Sequence, residues 1–276
     1  NQNKKINSDH YHLIEKVTDL DKYLMEAEEV GEIVIDTETT SLDSHQAKLV
    51  GISLSTKIGQ ACYIPIGHSN GKNLIEKNII NKIKPVLEDK SIKKIGQNIK
   101  FDYIILYHRG IDMNSMEDTM LMSYALDAGK NRHNMDILSE IHLGHKTISY
   151  KALVGTGKKQ INFSEVDIKL AKKYAGEDAD ITYRLYKIFL KNLKSEKLLN
   201  IYEIFEKPLI KILALMEING VKVDKKSLKL LSDKFEKKIN NLEKEIFKLS
   251  KKEFNIGSTK QLGEVMYNEM KISSMK

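Results

Sequence analysis

At 276 residues, 41% hydrophobic and 30% charged, the chain fits a soluble globular protein with core enough for one large domain or two smaller ones. Its single cysteine, Cys62, excludes an internal disulfide and any cysteine-based zinc site, and no signal peptide or apolar run of membrane-span length is visible. A formal net charge of +7 favours a polyanionic partner, nucleic acid being the usual one. The chain opens on Asn1 and not Met, so it is expected to be a piece of a longer polypeptide; no membrane partner, a monomer and the cytoplasm are the default expectations.

Residues 1–18 are polar, and 20–27 predict a short amphipathic helix. In Gly31-Glu32-Ile33-Val34-Ile35-Asp36-Thr37-Glu38-Thr39-Thr40 an apolar run leads straight into Asp-x-Glu. On a strand, residues two apart point to one face, so Asp36 and Glu38 project together from the end of a buried strand. Carboxylates held side by side repel unless a cation lies between them, and Mg²⁺ prefers oxygen ligands. Taken alone, the pattern is read more simply as two solvated acids at an exposed strand end. Further strands are predicted over 48–55 and 60–66, joined by a hairpin turn at 57–59 and closed by Pro65.

Over 73–87 the apolar period becomes helical, with a break expected at Pro85. A short strand over 92–95 passes through Gly96-Gln97-Asn98 into a helix over 99–108, and two more helices follow over 117–126 and 135–143. Residues 146–160, with two glycines and several lysines, read as a loop. Ser164 offers an N-cap, with Glu165 and Asp167 in the first turn of a long helix to about 193, broken near Gly176. Early strands, later helices and one strand between helices make this part α/β with a mixed sheet.

After Ser195 the pattern is nearly all helical. Leu209, Ile212, Leu213, Leu215 and Met216 form an apolar face ending at Asn219-Gly220, a good C-cap pair. Leu228, Leu231, Phe235, Ile239, Leu242, Ile246 and Leu249 then make a heptad-like seam, read as an antiparallel hairpin arm in preference to a coiled-coil dimer strand. A short helix is expected over 260–270.

Two further acids and a tyrosine extend the opening pair. Asp102 lies in Gly96-Gln97-Asn98-Ile99-Lys100-Phe101-Asp102, where a strand passes into a helix. Tyr174 and Asp178 are four apart in Tyr174-Ala175-Gly176-Glu177-Asp178-Ala179-Asp180, so a helix presents them on one face. Each signal alone is common. In this order they resemble the DEDD family of 3′–5′ exonucleases, in its tyrosine branch, and most closely the proofreading exonuclease of the family A DNA polymerases. IDTETTSLD (35–43), KPVLEDKSIKKIGQNIKFD (84–102), KTISY (146–150) and YAGEDADITYRLY (174–186) carry the likeness. FEKPLIKILALMEINGVKVD (205–224) and FNIGSTKQL (254–262) are similar to the start of the polymerase region.

The resemblance implies a ribonuclease-H-like mixed sheet flanked by helices over 1–196, then an all-α segment over 197–276 belonging to a polymerase thumb. It implies two divalent ions, Mg²⁺ with Mn²⁺ or Zn²⁺ as alternatives, about 4 Å apart, serving the attacking water and the leaving 3′ oxygen. Asp36 is expected to bridge both ions, with Glu38 and Asp178 on the nucleophile side and Asp102 on the leaving-group side through water. Tyr174 would orient the water, because a phenol with pKa near 10 is a poor base. Leu42 and Tyr150 would pack on the bases of a single-stranded 3′ end; Gln97 and Asn98 would bond sugar or phosphate (Asn98 could equally cap the helix), and Arg132 would pair with a phosphate. Duplex DNA would be gripped through the thumb, and a nucleoid-associated place in the cytoplasm follows. The histidines read as structural or solvated, and Asp180 as facing outward, not as a ligand. No polymerase carboxylate motif is present, so this chain should not extend a primer. A ribonuclease D-like RNA exonuclease and a silent exonuclease-fold scaffold are the alternatives.

Overall fold

The computed structural model describes residues 6–272, so the first five residues of the polar opening stretch and the last four of the chain lie outside it. A six-stranded sheet in the order β1-β4-β3-β2-β5-β6 organises the first unit. Its strands are β1 (Tyr11–Leu13), β2 (Glu32–Thr39), β3 (Leu49–Lys57), β4 (Gln60–Pro65), β5 (Lys93–Gly96) and β6 (Met116–Asp118). The β2-β3-β4 meander is antiparallel, while β1, β5 and β6 join it in parallel. The mixed sheet agrees with the expectation; β1 and β6 were not foreseen, because three residues are too few to display a period.

Alternation along β2 divides the molecule. Ile33 and Ile35 enter a core with α1 (Asp21–Val30), α2 (Glu76–Glu88) and α3 (Ile99–Tyr107), joined by Leu24, Ile83 and Ile105. Val34 enters a second core containing Met122 of α4 (Thr119–Asp127), Leu138 of α5 (Met135–Leu143), and Ile181, Leu185 and Phe189. The last three lie beyond α6 (Tyr150–Val154) on α7 (Ile168–Ser195). A third cluster sets Val50 and Tyr63 against Val154, Phe163 and Ala175. Asp36 and Glu38 therefore share the α7 side of β2, and Thr37 the α3 side.

Several expectations are corrected here. Pro85 does not break α2, because only three residues follow it in the helix and Asp89 N–H closes the turn on the Pro85 carbonyl. Helix α7 runs unbroken for 28 residues through Gly176. A Cβ at Gly176 would lie 3.0 Å from the Tyr11 ring, so this glycine admits β1 close to the helix and does not end it. The N-cap of α7 is Asp167, whose Oδ1 accepts from the Lys169 and Leu170 N–H groups; Ser164 sits instead in a short turn capped by Asn162. The segment 146–160 is not all loop, since it contains α6.

Beyond Ser195, α8 (Leu199–Ile201) leads through a wide π-type turn into α9 (Lys207–Asn219). Ile210 and Ala214 are its buried side chains, whereas Leu209, Ile212, Leu213 and Met216 of the expected apolar face are exposed. Tyr202 explains why this stretch belongs with the sheet: its Oη donates to Glu117 and accepts from the Asp118 N–H, while Lys207 reaches Glu117 at 2.6 Å. The first compact unit accordingly runs to Asn219, beyond the boundary expected at 196. The second unit, from Gly220, holds α10 (Lys225–Ser250) and α11 (Thr259–Gly263), the latter continued by a π-type turn over Glu264–Glu269. The apolar seam of α10 is exposed, Phe235 and Ile239 each at 54%. Among the described residues no helix is long and apolar enough to cross a membrane.

Gly51, paired with Glu38 across β2 and β3, leaves room for the Tyr63 ring. A Cβ there would fall 2.1 Å from Tyr63 Oη, and that ring is fully buried with its hydroxyl 2.7 Å from His68 Nε2. Gly51→Ala is predicted to lower unfolding free energy by about 1–3 kcal/mol, read from the urea midpoint. An unchanged midpoint would show that Tyr63 is not held there.

Candidate active site

Strand β2 delivers the acids and two helices complete the group. Oxygens of Asp36, Glu38 and Asp178 all lie within 4.8 Å of one another. Glu38 and Asp178 are buried and Asp36 half-buried. Glu38 Oε1 is buried, with no hydrogen-bond partner among the described residues. Asp102, on the first turn of α3, stands apart from this trio, and its Oδ1 accepts from the Thr37 N–H at 2.8 Å and the Thr37 hydroxyl at 2.6 Å. Thr37 thus reaches to the α3 side while its neighbours in sequence face α7.

Electrostatics show what this convergence demands. Burial pushes the Asp36 carboxyl up to about 6. Glu38 is driven well above the usual carboxylate range by burial and then by Asp36, Asp178 and Asp102. Burial and the Asp36 charge raise Asp178, and they raise Asp102 against the opposing hydrogen bonds from Thr37. An unpartnered buried carboxylate oxygen inside a mutually repelling, all-oxygen group fits a hard divalent cation.

Aromatic residues line the same cleft, whose volume is about 510 Å³. Tyr174 faces Asp178 with its hydroxyl, and burial with the carboxylates of Asp178, Glu38 and Asp36 holds that phenol protonated. Phe163, fully buried, lies under two rings: Tyr150 stacks on it at 6.1 Å with planes 8° apart, and Tyr174 meets it at 6.1 Å and 55°. Leu42 borders the cleft at 96% exposure, with Phe101 and Gln160 also on its lining.

Of the residues singled out from sequence, Asp36, Glu38, Asp178, Tyr174, Leu42 and Tyr150 line one cleft, and Asp102 is bonded to Thr37 on that lining. Gln97, Asn98 and Arg132 are not on its lining. The Gln97 amide is occupied at both ends, donating to the His133 carbonyl and accepting from Thr119 Oγ1. Asn98 is exposed at φ +60° and does not cap α3 with its side chain. That task falls to Asp118, which accepts from the Asn98 and Ile99 N–H groups. Arg132 is exposed.

One reading is reversed. Asp180 is not outward-facing but fully buried, accepting from Tyr11 Oη at 2.9 Å, the Gly59 N–H at 2.7 Å and Arg184 Nε at 3.0 Å. It fastens α7 to β1 and the β3–β4 turn, and lies outside the trio of Asp36, Glu38 and Asp178. Thr37, Phe163 and Glu177 escaped the sequence reading. For Thr37 the alternation along β2 was an available signal; for Phe163 and Glu177 only the folded contacts reveal a role.

The matching family model is that of the 3′–5′ exonuclease of A-type DNA polymerases, over residues 11–194. DNA polymerase I of Rhizobium leguminosarum is 41% identical over 284 residues, covering 95% of this chain and 28% of the relative. DNA polymerase I of Pseudomonas aeruginosa is 38% identical over 257 residues, covering 91% and 28%. The chain therefore spans little more than a quarter of the length of these relatives. Among solved structures, the polymerase domain of Pol1 from M. smegmatis in complex with DNA primer-template and dNTP aligns with a TM-score of 0.75 at 20% identity, over 96% of this chain and 42% of that one. NrnC of Brucella melitensis aligns with a TM-score of 0.58 at 23% identity, over 76% and 95%. Both likenesses show the fold.

Raised carboxyl groups make a stability prediction with a definite sign. A carboxyl whose folded pKa exceeds its unfolded value weakens the fold as pH rises between the two, and the full penalty applies above the folded value. Asp36→Asn is therefore expected to stabilise the metal-free protein at pH 7.5 by about 1–2 kcal/mol, the gain vanishing toward pH 4. Thermal melts in EDTA at both pH values test this; a loss of stability at pH 7.5 would contradict it.

Proposed function

This chain belongs to the 3′–5′ exonuclease family of DNA polymerase I, and from that premise we propose that its cleft shortens single-stranded DNA from the 3′ end, one nucleotide at a time. The observation that carries the reading is the approach of Asp36, Glu38 and Asp178 within 4.8 Å, in a chain whose residues 11–194 match the exonuclease family. Two divalent ions, Mg²⁺ with Mn²⁺ or Zn²⁺ as alternatives, are proposed to sit among Asp36, Glu38, Asp102 and Asp178. Bound there, they would neutralise the phosphodiester, make water more acidic and stabilise the departing 3′ oxygen.

The chain's own residues divide the remaining work. Asp36, between the other acids, would serve both ions, with Glu38 and Asp178 contributing to one and Asp102 to the other. Thr37 holds the Asp102 carboxylate through two hydrogen bonds, which leaves its second oxygen available. Tyr174, kept as a neutral phenol, orients the attacking water and does not take its proton. Leu42 and Tyr150 offer apolar faces to the last bases, a form of contact that accepts any base. Cleavage of one P–O bond by water yields a nucleoside monophosphate and a strand one nucleotide shorter.

Because the chain covers 28% of its relatives, polymerisation is proposed only for a longer parent, with the exonuclease as its proofreader. The domain division at 196/197 is kept as a functional one: the family match ends at residue 194, and α10 is proposed to be part of a thumb that grips duplex DNA. Gln97, Asn98 and Arg132, away from the cleft lining, are at most secondary contacts for the strand. A cytoplasmic monomer acting at the nucleoid fits this role.

A 5′-labelled DNA strand with Mg²⁺ should yield a ladder descending by single nucleotides, and EDTA should stop it. Asp178→Ala or Asp102→Ala is expected to reduce the rate by about a hundredfold or more. Undiminished cleavage in either variant would overturn the site. A second prediction separates roles: Tyr174→Phe should slow cleavage by about tenfold to a hundredfold yet keep the melting shift that Mn²⁺ induces. Loss of that shift would make Tyr174 part of the metal site. An RNA strand cleaved faster than DNA of the same sequence would favour the ribonuclease D-like alternative.

A further inference from the structure

Helix α7 presents two consecutive acids to different partners. Asp178 joins the carboxylate cluster, while Glu177, about 100° further round the helix, turns to the segment that follows α5. Glu177 Oε2 accepts the Ile148 N–H at 2.6 Å, and Oε1 lies 2.8 Å from His145 Nε2, which must donate because a carboxylate can only accept. Between these anchors Thr147 Oγ1 donates to Asp136 at 2.6 Å. Glu177 is 8% exposed.

Two residues beyond Ile148, Tyr150 opens α6. Ser149, the N-cap, lends that short helix no side-chain hydrogen bond, so the placing of Tyr150 falls to the anchors before it and to ring packing. Its ring stacks on Phe163 and meets Tyr174 edge-on at 6.3 Å, leaving 43% of the residue exposed on the cleft. The far end of the segment is tied by Asn162 Nδ2 to the Thr40 carbonyl at 2.9 Å. A carboxylate at 177 also adds negative charge beside Asp178, where a neutral side chain would disturb the cluster less. What the carboxylate provides in return is two charge-assisted hydrogen bonds to one loop.

We propose that Glu177 is a positioning residue for the substrate: by fastening residues 145–148 to the helix that carries Asp178, it sets Tyr150 over the cleft and governs affinity for the single-stranded 3′ end, not the hydrolytic step. The proposal rests on the exonuclease reading of the cleft. It also accounts for one helical turn supplying both a metal ligand and a loop anchor: Ile148, held by Glu177, stands only two residues before Tyr150.

The test uses the whole chain and a fluorescent oligothymidylate, with Kd from anisotropy in EDTA and kcat from single-nucleotide shortening in saturating Mg²⁺. Glu177→Ala should weaken Kd about tenfold, the scale of one lost base–aromatic stack, with kcat within about threefold. Glu177→Gln, which still offers an acceptor to Ile148, should bind within about threefold of wild type. Tyr150→Ala should weaken Kd about tenfold, and the Glu177→Ala/Tyr150→Ala double variant no further, since the first acts through the second. His145→Ala, leaving α7 untouched, should weaken Kd about threefold and decides the matter if Glu177→Ala fails to fold. Additive losses in the double variant, a fall in kcat at unchanged Kd, or an inert His145→Ala would overturn the positioning role. A wild-type chain that binds the oligonucleotide without shortening it would overturn the exonuclease reading alone.

Discussion

Repulsion among carboxylates at the end of a buried strand is the constraint on which this structure turns. Asp36, Glu38 and Asp178 approach within 4.8 Å, and the Asp102 charge adds to the repulsion on Glu38. Among the described residues no donor meets Glu38 Oε1. Left to itself such a group would push apart or stay protonated, so the surrounding elements must hold it by other means. The two cores on either side of β2 do so, with Ile33 and Ile35 packed one way and Val34 the other. The repelling carboxylates are thereby carried by a strand whose body, Ile33 to Ile35, is fully buried, as expected of a site whose stability is conceded locally for function.

The same alternation accounts for the layering of the site. Residues facing α7 meet Tyr174 and Asp178, and Thr37, facing α3, secures Asp102 with both its backbone and its hydroxyl. Around this centre runs a second layer of fixings: Asp180 holding α7 to β1, Gly51 making room for Tyr63, and Phe163 supporting two cleft tyrosines. Compaction continues past the end of the family match at 194 because Tyr202, Lys207 and the inward side of α9 close over the β6 edge.

How much of this was legible in the sequence follows from what kind of signal each part emits. Strands β2, β3 and β4 were readable because long β-rich runs end at turn residues, and the pair at 36 and 38 because period two is a property of any strand. Strands β1 and β6 were not, since three residues among polar neighbours show no period. Gly176 and Pro85 were read as breaks from local propensity, and tertiary packing overrode both: a tyrosine ring needs the missing Cβ, and a proline in the last turn forfeits little. Asp180 was read as outward because acids favour solvent, yet three donors from distant segments bury it. Glu177, Phe163 and the occupied amide of Gln97 are visible only once remote residues meet. The apolar face of α9 was legible as a face, but its buried side is that of Ile210 and Ala214.

The central claim is that this carboxylate cluster is built for a divalent cation, and metal binding by the unliganded protein tests it most directly. Electron paramagnetic resonance of free Mn²⁺ should report saturable binding by the wild-type chain, weakened about tenfold or more in Glu38→Gln, which keeps the shape of the side chain and removes its charge. Binding that is absent from the wild type, or undiminished in Glu38→Gln, would contradict the account.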